Sequence, residues 1–352
     1  MRVVLDTSAA SRPGADRGLG RYLRAVRDAN ASANNEVREL RFRIGTGRLS
    51  EFWPLVNRSI QVARSRGDIF HAVTPYYIAP GAAHQVVSVL DLIPLDVHAP
   101  GGTGIKTTIF HRLAARASVI VTLSEHAKQR IADRLNVSAQ RIVVAALPSV
   151  LTRSGPDRLD LPERYIVALA DLRTPDPRKR TEWLEGIARQ LHARGIPLVI
   201  AGPGTDAACE RFPGARALGR LDDPSLAELL GRARALVYTS AYEGQGLPPL
   251  EAIRLGAPVI GMRNTSIPEV VGDAGILLDE ELPPAQAARG PHRADAPAVT
   301  RLVNACCEVF EDDRLHARLV AACTSRDHLF TPEAFRDNLQ RAYELARTGP
   351  AR

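Results

Sequence analysis

Two glutamates, Glu243 and Glu251, are separated by seven residues and flank a glycine-rich turn. Residues 235–240 predict a strand that leads into this turn, and a short helix is predicted to follow it. Glycines let backbone N–H groups approach a ligand closely, and the dipole of a following helix favours negative charge. The pattern therefore predicts an anion site with two carboxylates beside it.

The two carboxylates restrict the kind of anion that fits. They would repel a phosphate in direct contact, so they are better suited to bind hydroxyl groups next to it. A ligand that carries hydroxyl groups on both sides of a diphosphate is a nucleotide-sugar. Because hydroxyl recognition requires no proton transfer, the pair predicts binding of such a ligand rather than acid–base catalysis.

Residues 243–260 and 268–275 resemble the donor site of the family-four retaining glycosyltransferases. The first stretch follows the family's order of a glutamate, a glycine turn, a Leu-Pro pair and a second glutamate, and the second reads PEVVGDAG. Gln245 replaces an aromatic residue that is usual there. The resemblance covers almost the whole chain. It implies an α/β protein with the GT-B fold, in which two Rossmann-like doubly wound domains face a central cleft.

The resemblance also implies a role for each residue of this stretch. Glu251 would bind the ribose hydroxyls of the nucleotide, and Glu243 would bind the hydroxyls of the transferred sugar. Backbone groups around the sugar, the distal phosphate and the base would complete the donor site: Gln245, Gly246, Leu247, Leu218 and Leu221.

A second motif supplies positive charge. Residues 171–179 follow a predicted strand and contain two prolines, with Arg173 and Lys179 towards opposite ends of the loop. An arginine fork and a lysine point charge together suit a diphosphate. In the family, an arginine and a lysine of this loop hold the donor diphosphate, and they stabilise it as it leaves. A solvated basic loop is the alternative interpretation.

The N-terminal half carries a glycine pair, Gly18 and Gly20, in the segment GLGRY. We expect this segment to form a turn between the first strand and the first helix, near the donor phosphate. Arg21 is an acceptor-side candidate. The segment is similar to an element of the family's mannosyltransferases, although a simple tight turn also fits.

One segment departs from the family. The family usually has T-x-H-D-x-x-P at the end of the fourth strand, whereas this chain has Leu90 in place of the histidine and keeps Asp91. Asp91 therefore stays a catalytic candidate. His71, at the end of the third predicted strand, is an acceptor-side candidate, and a buried structural histidine is the other interpretation.

Length and composition are those of a two-domain globular protein, with 352 residues, 45% hydrophobic and 24% charged. Alternating strands and helices predict two α/β domains (1–150 and 164–329), joined by a linker (151–163) and followed by a last helix (330–352). The resemblance implies that the first domain binds the acceptor, that the second binds the donor and that the last helix crosses back to the first domain. No apolar run reaches the ~18 residues of a membrane span, and the sequence opens on a strand, so a cytoplasmic protein is expected. The four cysteines lack zinc spacing and predict free thiols.

The charge is uneven along the chain. Residues 1–150 hold 20 Lys/Arg against 11 Asp/Glu, and the remainder holds 26 against 28. This excess favours an anionic partner for the first half, such as a lipid-linked acceptor or the anionic inner face of a membrane. An arginine-rich codon bias is the alternative. Nucleic acid also fits the charge alone but is not among the expected partners.

Together with these patterns, the resemblance implies a cytoplasmic, metal-independent, retaining glycosyltransferase of polysaccharide biosynthesis. It would move a hexose from a nucleoside-diphosphate sugar, with GDP-mannose preferred, to a hydroxyl of a glycan or lipid-linked glycan. No Asp-x-Asp motif has a setting that would chelate a metal with a diphosphate, so neither metal nor cofactor is expected. The alternative, motivated by Leu90, is a non-catalytic sugar-nucleotide-binding protein that acts with a partner transferase.

Overall fold

The computed structural model describes residues 1–8, 18–41, 53–65, 67–97, 105–153 and 155–349. Here the chain divides into two compact units. The first comprises Met1–Pro148 with Phe330–Arg352, and the second comprises Ser149–Leu329.

The first unit contains a parallel sheet in the order β2-β1-β3-β4-β5-β6. Its strands are β1 (Arg2–Asp6), β2 (Glu36–Leu40), β3 (Ile69–Ala72), β4 (Gln85–Ser88), β5 (Val119–Thr122) and β6 (Ile142–Val144). The helices between them are α1 (Gly18–Ser32), α2 (Trp53–Ser65), α3 (Ile93–Asp96), α4 (Ile105–Ala114) and α5 (Glu125–Leu135). Strands β3, β4 and β5 are buried along their whole length, as expected when helices cover both faces of a sheet.

The second unit repeats this architecture with the order β12-β11-β10-β7-β8-β9. Its strands are β7 (Ile166–Leu169), β8 (Leu198–Ala201), β9 (Arg216–Ala217), β10 (Ala235–Tyr238), β11 (Val259–Arg263) and β12 (Gly275–Asp279). Its helices are α6 (Thr181–His192), α7 (Asp223–Gly231), α8 (Leu247–Arg254), α9 (Ile267–Val271), α10 (Pro284–Ala287), α11 (Pro297–Glu311) and α12 (Asp313–Asp327).

The strand order of this second sheet defines a switch point. The chain adds β8 and β9 on one side of β7 and then returns to place β10 on the other side. In open α/β sheets, ligands bind outside the carboxyl ends of the two strands where the order reverses. A ligand site is therefore expected at the loops that follow β7 and β10.

The last helix, α13 (Pro332–Thr348), packs in the first unit. Thr331 caps it by accepting a hydrogen bond from the Ala334 N–H. The Phe335 ring meets Tyr22 of α1 edge to face, with ring centroids 6.1 Å apart. Tyr343 accepts a hydrogen bond of 3.2 Å from the side chain of Asn30. These buried contacts hold α13 against α1.

The predicted linker lies in the second unit, where the buried carboxylate of Glu228 holds it. Glu228 accepts hydrogen bonds from the backbone N–H groups of Arg158 and Leu159, at 2.7 and 3.0 Å. These bonds tie the segment to α7.

In the described part of the chain, no helix combines the length and apolar character that a membrane crossing requires.

Polar side chains cap two of the helices. Ser124 accepts a hydrogen bond from the Ala127 N–H at the start of α5, and Asp222 does the same for Ser225 at the start of α7. The predicted turn at Gly18 and Gly20 is wrong, because α1 already begins at Gly18. Both glycines lie in its first turn.

Candidate donor site

The loop after β7 carries the predicted cations, and two aspartates fix its backbone. Asp171 accepts a hydrogen bond of 3.0 Å from the N–H of Arg173. Asp176 caps the 3-10 turn Pro177–Lys179 by accepting from the N–H of Arg178. Because the turn follows directly on this cap, the side chains of Arg178 and Lys179 emerge from rigid backbone.

The two cations Arg178 and Lys179 meet Glu243 of the loop after β10. The Lys179 ammonium pairs with Glu243 Oε1, and Arg178 Nη1 lies 3.2 Å from Oε2. The hydroxyls of Tyr238 and Ser240 each donate to Oε1 at 2.6 Å. Oε1 thus has three donors, whereas Oε2 has room for a further donor.

Glu243 is only 8% exposed, and its charge state follows from its neighbours. Burial raises the pKa of the carboxyl, but the charges of Lys179 and Arg178 outweigh burial and bring the pKa down to about 2. The carboxylate is therefore ionised at neutral pH. Burial also lowers the pKa of Lys179, against the opposing attraction of Glu243.

The turn between Glu243 and α8 requires a glycine at position 246. Gly246 has φ 93°, and a Cβ there would lie 2.7 Å from Cδ1 of Ile267. Pro248 and Pro249 occupy the second and third helical positions and carry no N–H. Among the first three helical residues, Leu247 alone can offer a backbone donor to an anion.

Glu251 lies four residues after Leu247 on α8, so both residues share one face of the helix. Glu251 is 5% exposed. The binding of ligand hydroxyl groups by this carboxylate stays a prediction.

The loop after β8 lies against the loop after β7. Gly202 has φ 133°, and a Cβ there would lie 1.9 Å from the Ala170 carbonyl oxygen, so the two loops touch. Gly202 N–H donates to the carbonyl of Gly219 at 2.7 Å, which draws in the predicted base-contact segment that contains the half-buried Leu218 and Leu221.

Arg173 lies beside the loop after β8. A Cβ at Gly204 would lie 3.2 Å from Arg173 Cγ. Arg173 is exposed, and its guanidinium makes no hydrogen bond or ion pair with the residues that the structure describes. The predicted pair of cations is thus divided: Lys179 is held at Glu243, and Arg173 is open to a ligand.

Several site residues were missing from the sequence interpretation. They share a contact with Glu243: Arg178, Tyr238, Ser240, Thr265 and Ser266. Only Arg178 carried a signal, since it adjoins the lysine of the motif. The others act through positions that a glycine-turn motif does not specify.

The remaining candidates lie in the first unit. Asp91 follows β4 and accepts a hydrogen bond of 2.9 Å from the N–H of Ile93 at the start of α3. Gly18, Gly20 and Arg21 belong to the first turn of α1. Their assignments to the donor and the acceptor stay predictions.

The acceptor-side assignment of His71 is corrected. The ring is 0% exposed, with Nδ1 2.9 Å from the Tyr343 hydroxyl and Nε2 2.8 Å from Ser88 Oγ. Tyr22 closes the network at 2.6 Å from Ser88 Oγ. With both nitrogens engaged in the interior, His71 is a structural residue that joins β3 and β4 to α13.

This buried histidine predicts a pH dependence of stability. Burial lowers the pKa of His71 from 6.5 to about 3. As the pH falls below 6.5, the unfolded chain binds a proton that the folded chain refuses, so the free energy of unfolding drops by about 1.4 kcal/mol per pH unit until about pH 3. Urea denaturation at pH 7.5, 6.5 and 5.5 measures this slope. His71→Gln should be less stable at pH 7.5 but show a shallower slope, and parallel curves would contradict the assignment.

Residues 163–290 match the profile of the family described as "Glycosyl transferases group 1". The chain is 32% identical over 194 residues to O-antigen chain mannosyltransferase B of Escherichia coli, across 48% of this chain and 49% of that protein. It is 29% identical over 211 residues to the serotype-specific mannosyltransferase WbdA of Escherichia coli, across 52% of this chain and 26% of that protein. The match therefore spans about half of the first relative and about a quarter of the second.

Solved structures share the whole fold. Sucrose-phosphate synthase from Thermosynechococcus elongatus superposes with a TM-score of 0.73 at 16% identity, covering 98% of both chains. HepE of Anabaena, solved in complex with UDP-glucose, gives a TM-score of 0.66 at 16% identity, covering 97% of this chain and 98% of that one. Residues 163–290 therefore match a group 1 glycosyltransferase domain, and the chain has the GT-B fold, which confirms the predicted resemblance to the family-four glycosyltransferases.

Proposed function

We propose that the chain is a metal-independent, retaining glycosyltransferase that moves a hexose from a nucleoside-diphosphate sugar to a glycan hydroxyl. The observation that carries the proposal is the ionised Glu243 bracketed by Arg178 and Lys179 at the switch point of the second sheet. It combines a hydroxyl acceptor with fixed positive charge. The match to the group 1 family supports the same activity.

The leaving diphosphate would bind the cations. An ammonium has three N–H donors, and Lys179 directs one to Glu243 and one towards the Tyr238 hydroxyl at 3.4 Å. The Lys179 side chain is 34% exposed, so its third donor can reach a ligand. Arg173 would bind the diphosphate from the other end of the same loop. These fixed charges would take the part of a divalent cation in stabilising the departing nucleotide.

The transferred sugar would bind Glu243. Since Oε1 already accepts three hydrogen bonds, Oε2 is the oxygen for a sugar hydroxyl. A carboxylate with a pKa of about 2 is a weak base, which supports a positioning role rather than proton transfer. In the retaining reaction, the leaving phosphate itself would assist deprotonation of the acceptor hydroxyl on the same face of the sugar.

Mannose is the proposed sugar and GDP the proposed nucleotide, because the similar curated proteins are named as mannosyltransferases. The proposed acceptor is a growing glycan or lipid-linked glycan, with the protein in the cytoplasm against the anionic inner face of the membrane. The basic first 150 residues support this orientation. A non-catalytic role with a partner transferase is not favoured.

A thermal-shift panel of GDP, UDP, dTDP and ADP tests the proposal. One diphosphate should raise Tm, by mass action on the folded state. Arg173→Ala and Glu251→Ala should each weaken its binding by about 10- to 100-fold, the effect of losing a hydrogen bond to a charged group. Arg318→Ala and Glu308→Ala, which remove exposed charges of α12 and α11, are the matched controls. A panel without any response, or two site variants with wild-type affinity, would overturn the donor site.

A further inference from the structure

Two residues beside the donor site have a costly backbone conformation. Four non-glycine residues of the described chain have positive φ: Asn34, Asn136, Arg180 and Thr265. Asparagine adopts this region readily, so Asn34 and Asn136 need no special account. Arg180 directly follows Lys179, and Thr265 contacts Glu243, so both remaining cases adjoin the central ion pair.

Thr265 is the more strained of these two. Its φ is 43°, and a β-branched side chain is a genuine outlier in the left-handed region. Such a conformation is energetically unfavourable and persists only where surrounding contacts enforce it. The contacts that enforce this conformation should therefore indicate the function of Thr265.

Those contacts converge on Glu243. Thr265 Oγ1 accepts a hydrogen bond of 3.0 Å from the Glu243 N–H and donates to Asn264 Oδ1 at 3.3 Å. Ser266 Oγ donates to the Glu243 carbonyl at 3.1 Å. The side chain of the buried Asn264 donates to the Ser240 carbonyl at 3.0 Å. The loop after β11 thus holds both backbone polar groups of Glu243.

A simple connection between β11 and α9 does not account for threonine here. Glycine or asparagine would adopt the same φ with less strain. What glycine lacks is a hydroxyl that can accept from the Glu243 N–H. The residue type is therefore explained by its partner and not by the turn.

We propose that Thr265 is a positioning residue that sets the direction of the Glu243 carboxylate and thereby governs recognition of the transferred sugar, not of the nucleotide. The inference rests on the proposed function. Its consequence is a separation of two properties. Removing the hydroxyl should impair sugar turnover and leave binding of the free nucleoside diphosphate intact.

Thr265→Val and Thr265→Ser test this separation. Valine keeps the shape and strain of threonine and removes only the hydroxyl, whereas serine keeps the hydroxyl. Hydrolysis of GDP-mannose, followed as GDP release, gives kcat and KM, and calorimetry with GDP gives Kd. We expect Thr265→Val to lower kcat about 10-fold with GDP affinity within about twofold of wild type, and Thr265→Ser to recover kcat. Thr300→Val, on the exposed face of α11, is the control.

Equal kcat in Thr265→Val and wild type would overturn the inference, as would a parallel loss of GDP binding, which indicates general damage. A readout without substrate keeps the inference separate from the proposed function. Hydrogen exchange of the Glu243 amide should accelerate about fivefold in Thr265→Val and stay slow in Thr265→Ser. If exchange responds in this way but wild type binds no nucleotide, the proposed function fails while the positioning contact stands. Unchanged exchange removes the contact itself.

Discussion

Lys179→Met is expected to lower kcat for the nucleotide-sugar donor by about 10²- to 10³-fold, the usual effect of removing one preorganised charge from a transition state. Methionine keeps the length of the stem and removes only the ammonium. Glu243 retains Arg178 at 3.2 Å and the hydroxyls of Tyr238 and Ser240 at 2.6 Å, so the fold should survive the change. Steady-state GDP release from GDP-mannose, together with Tm, measures both effects.

Lys128→Met is the matched control for this variant. Lys128 lies on α5 in the first unit, where it pairs with Glu125 at 3.4 Å on the helix surface. Its loss should leave kcat within about twofold of wild type, since exposed pairs contribute little. Wild-type kcat in Lys179→Met would show that the leaving group does not use this cation.

Glu243→Gln is expected to change two properties in opposite directions. The substitution keeps the size of the side chain and removes its negative charge. In the wild type, the Glu243 carboxyl has a pKa of about 2 and is ionised at neutral pH. Arg178 and Lys179 then face a neutral partner and attract a diphosphate more strongly, so GDP should bind more tightly. The sugar loses a charged hydrogen-bond acceptor, so kcat/KM for GDP-mannose should fall by about 10- to 100-fold.

Opposite signs make this prediction specific. A merely destabilised site would lose both GDP affinity and turnover, and an uninvolved residue would change neither. Calorimetry with GDP and initial-rate kinetics with GDP-mannose separate these cases. Glu308→Gln, on the exposed surface of α11, controls for the loss of one negative charge from the same unit.

The sequence predicted the fold because its signals are local. Apolar runs such as that of β5 identify buried strands, and side chains such as Ser124 and Asp222 cap helices within a few residues of themselves. The glycine turn before α8 is equally local. The early start of α1 was not visible in the sequence, because Gly18 and Gly20 are poor helix formers.

The candidate site was predictable only in part, because its partners come together through tertiary structure. Glu243 pairs with Arg178 and Lys179 from a loop more than sixty positions earlier. His71 forms a hydrogen bond with Tyr343, and no feature of a short apolar strand indicates a partner 272 residues away. The strain at Thr265 is a backbone property that an amino-acid type alone does not reveal.

The loops after β7 and β10 form the proposed nucleotide-sugar site. A crystal structure of the protein with the diphosphate that raises Tm most tests it directly. We expect the diphosphate within hydrogen-bond distance of Lys179, the ribose hydroxyls at Glu251 and the base against residues 218–221. A nucleotide ordered at any other place on the chain would contradict it.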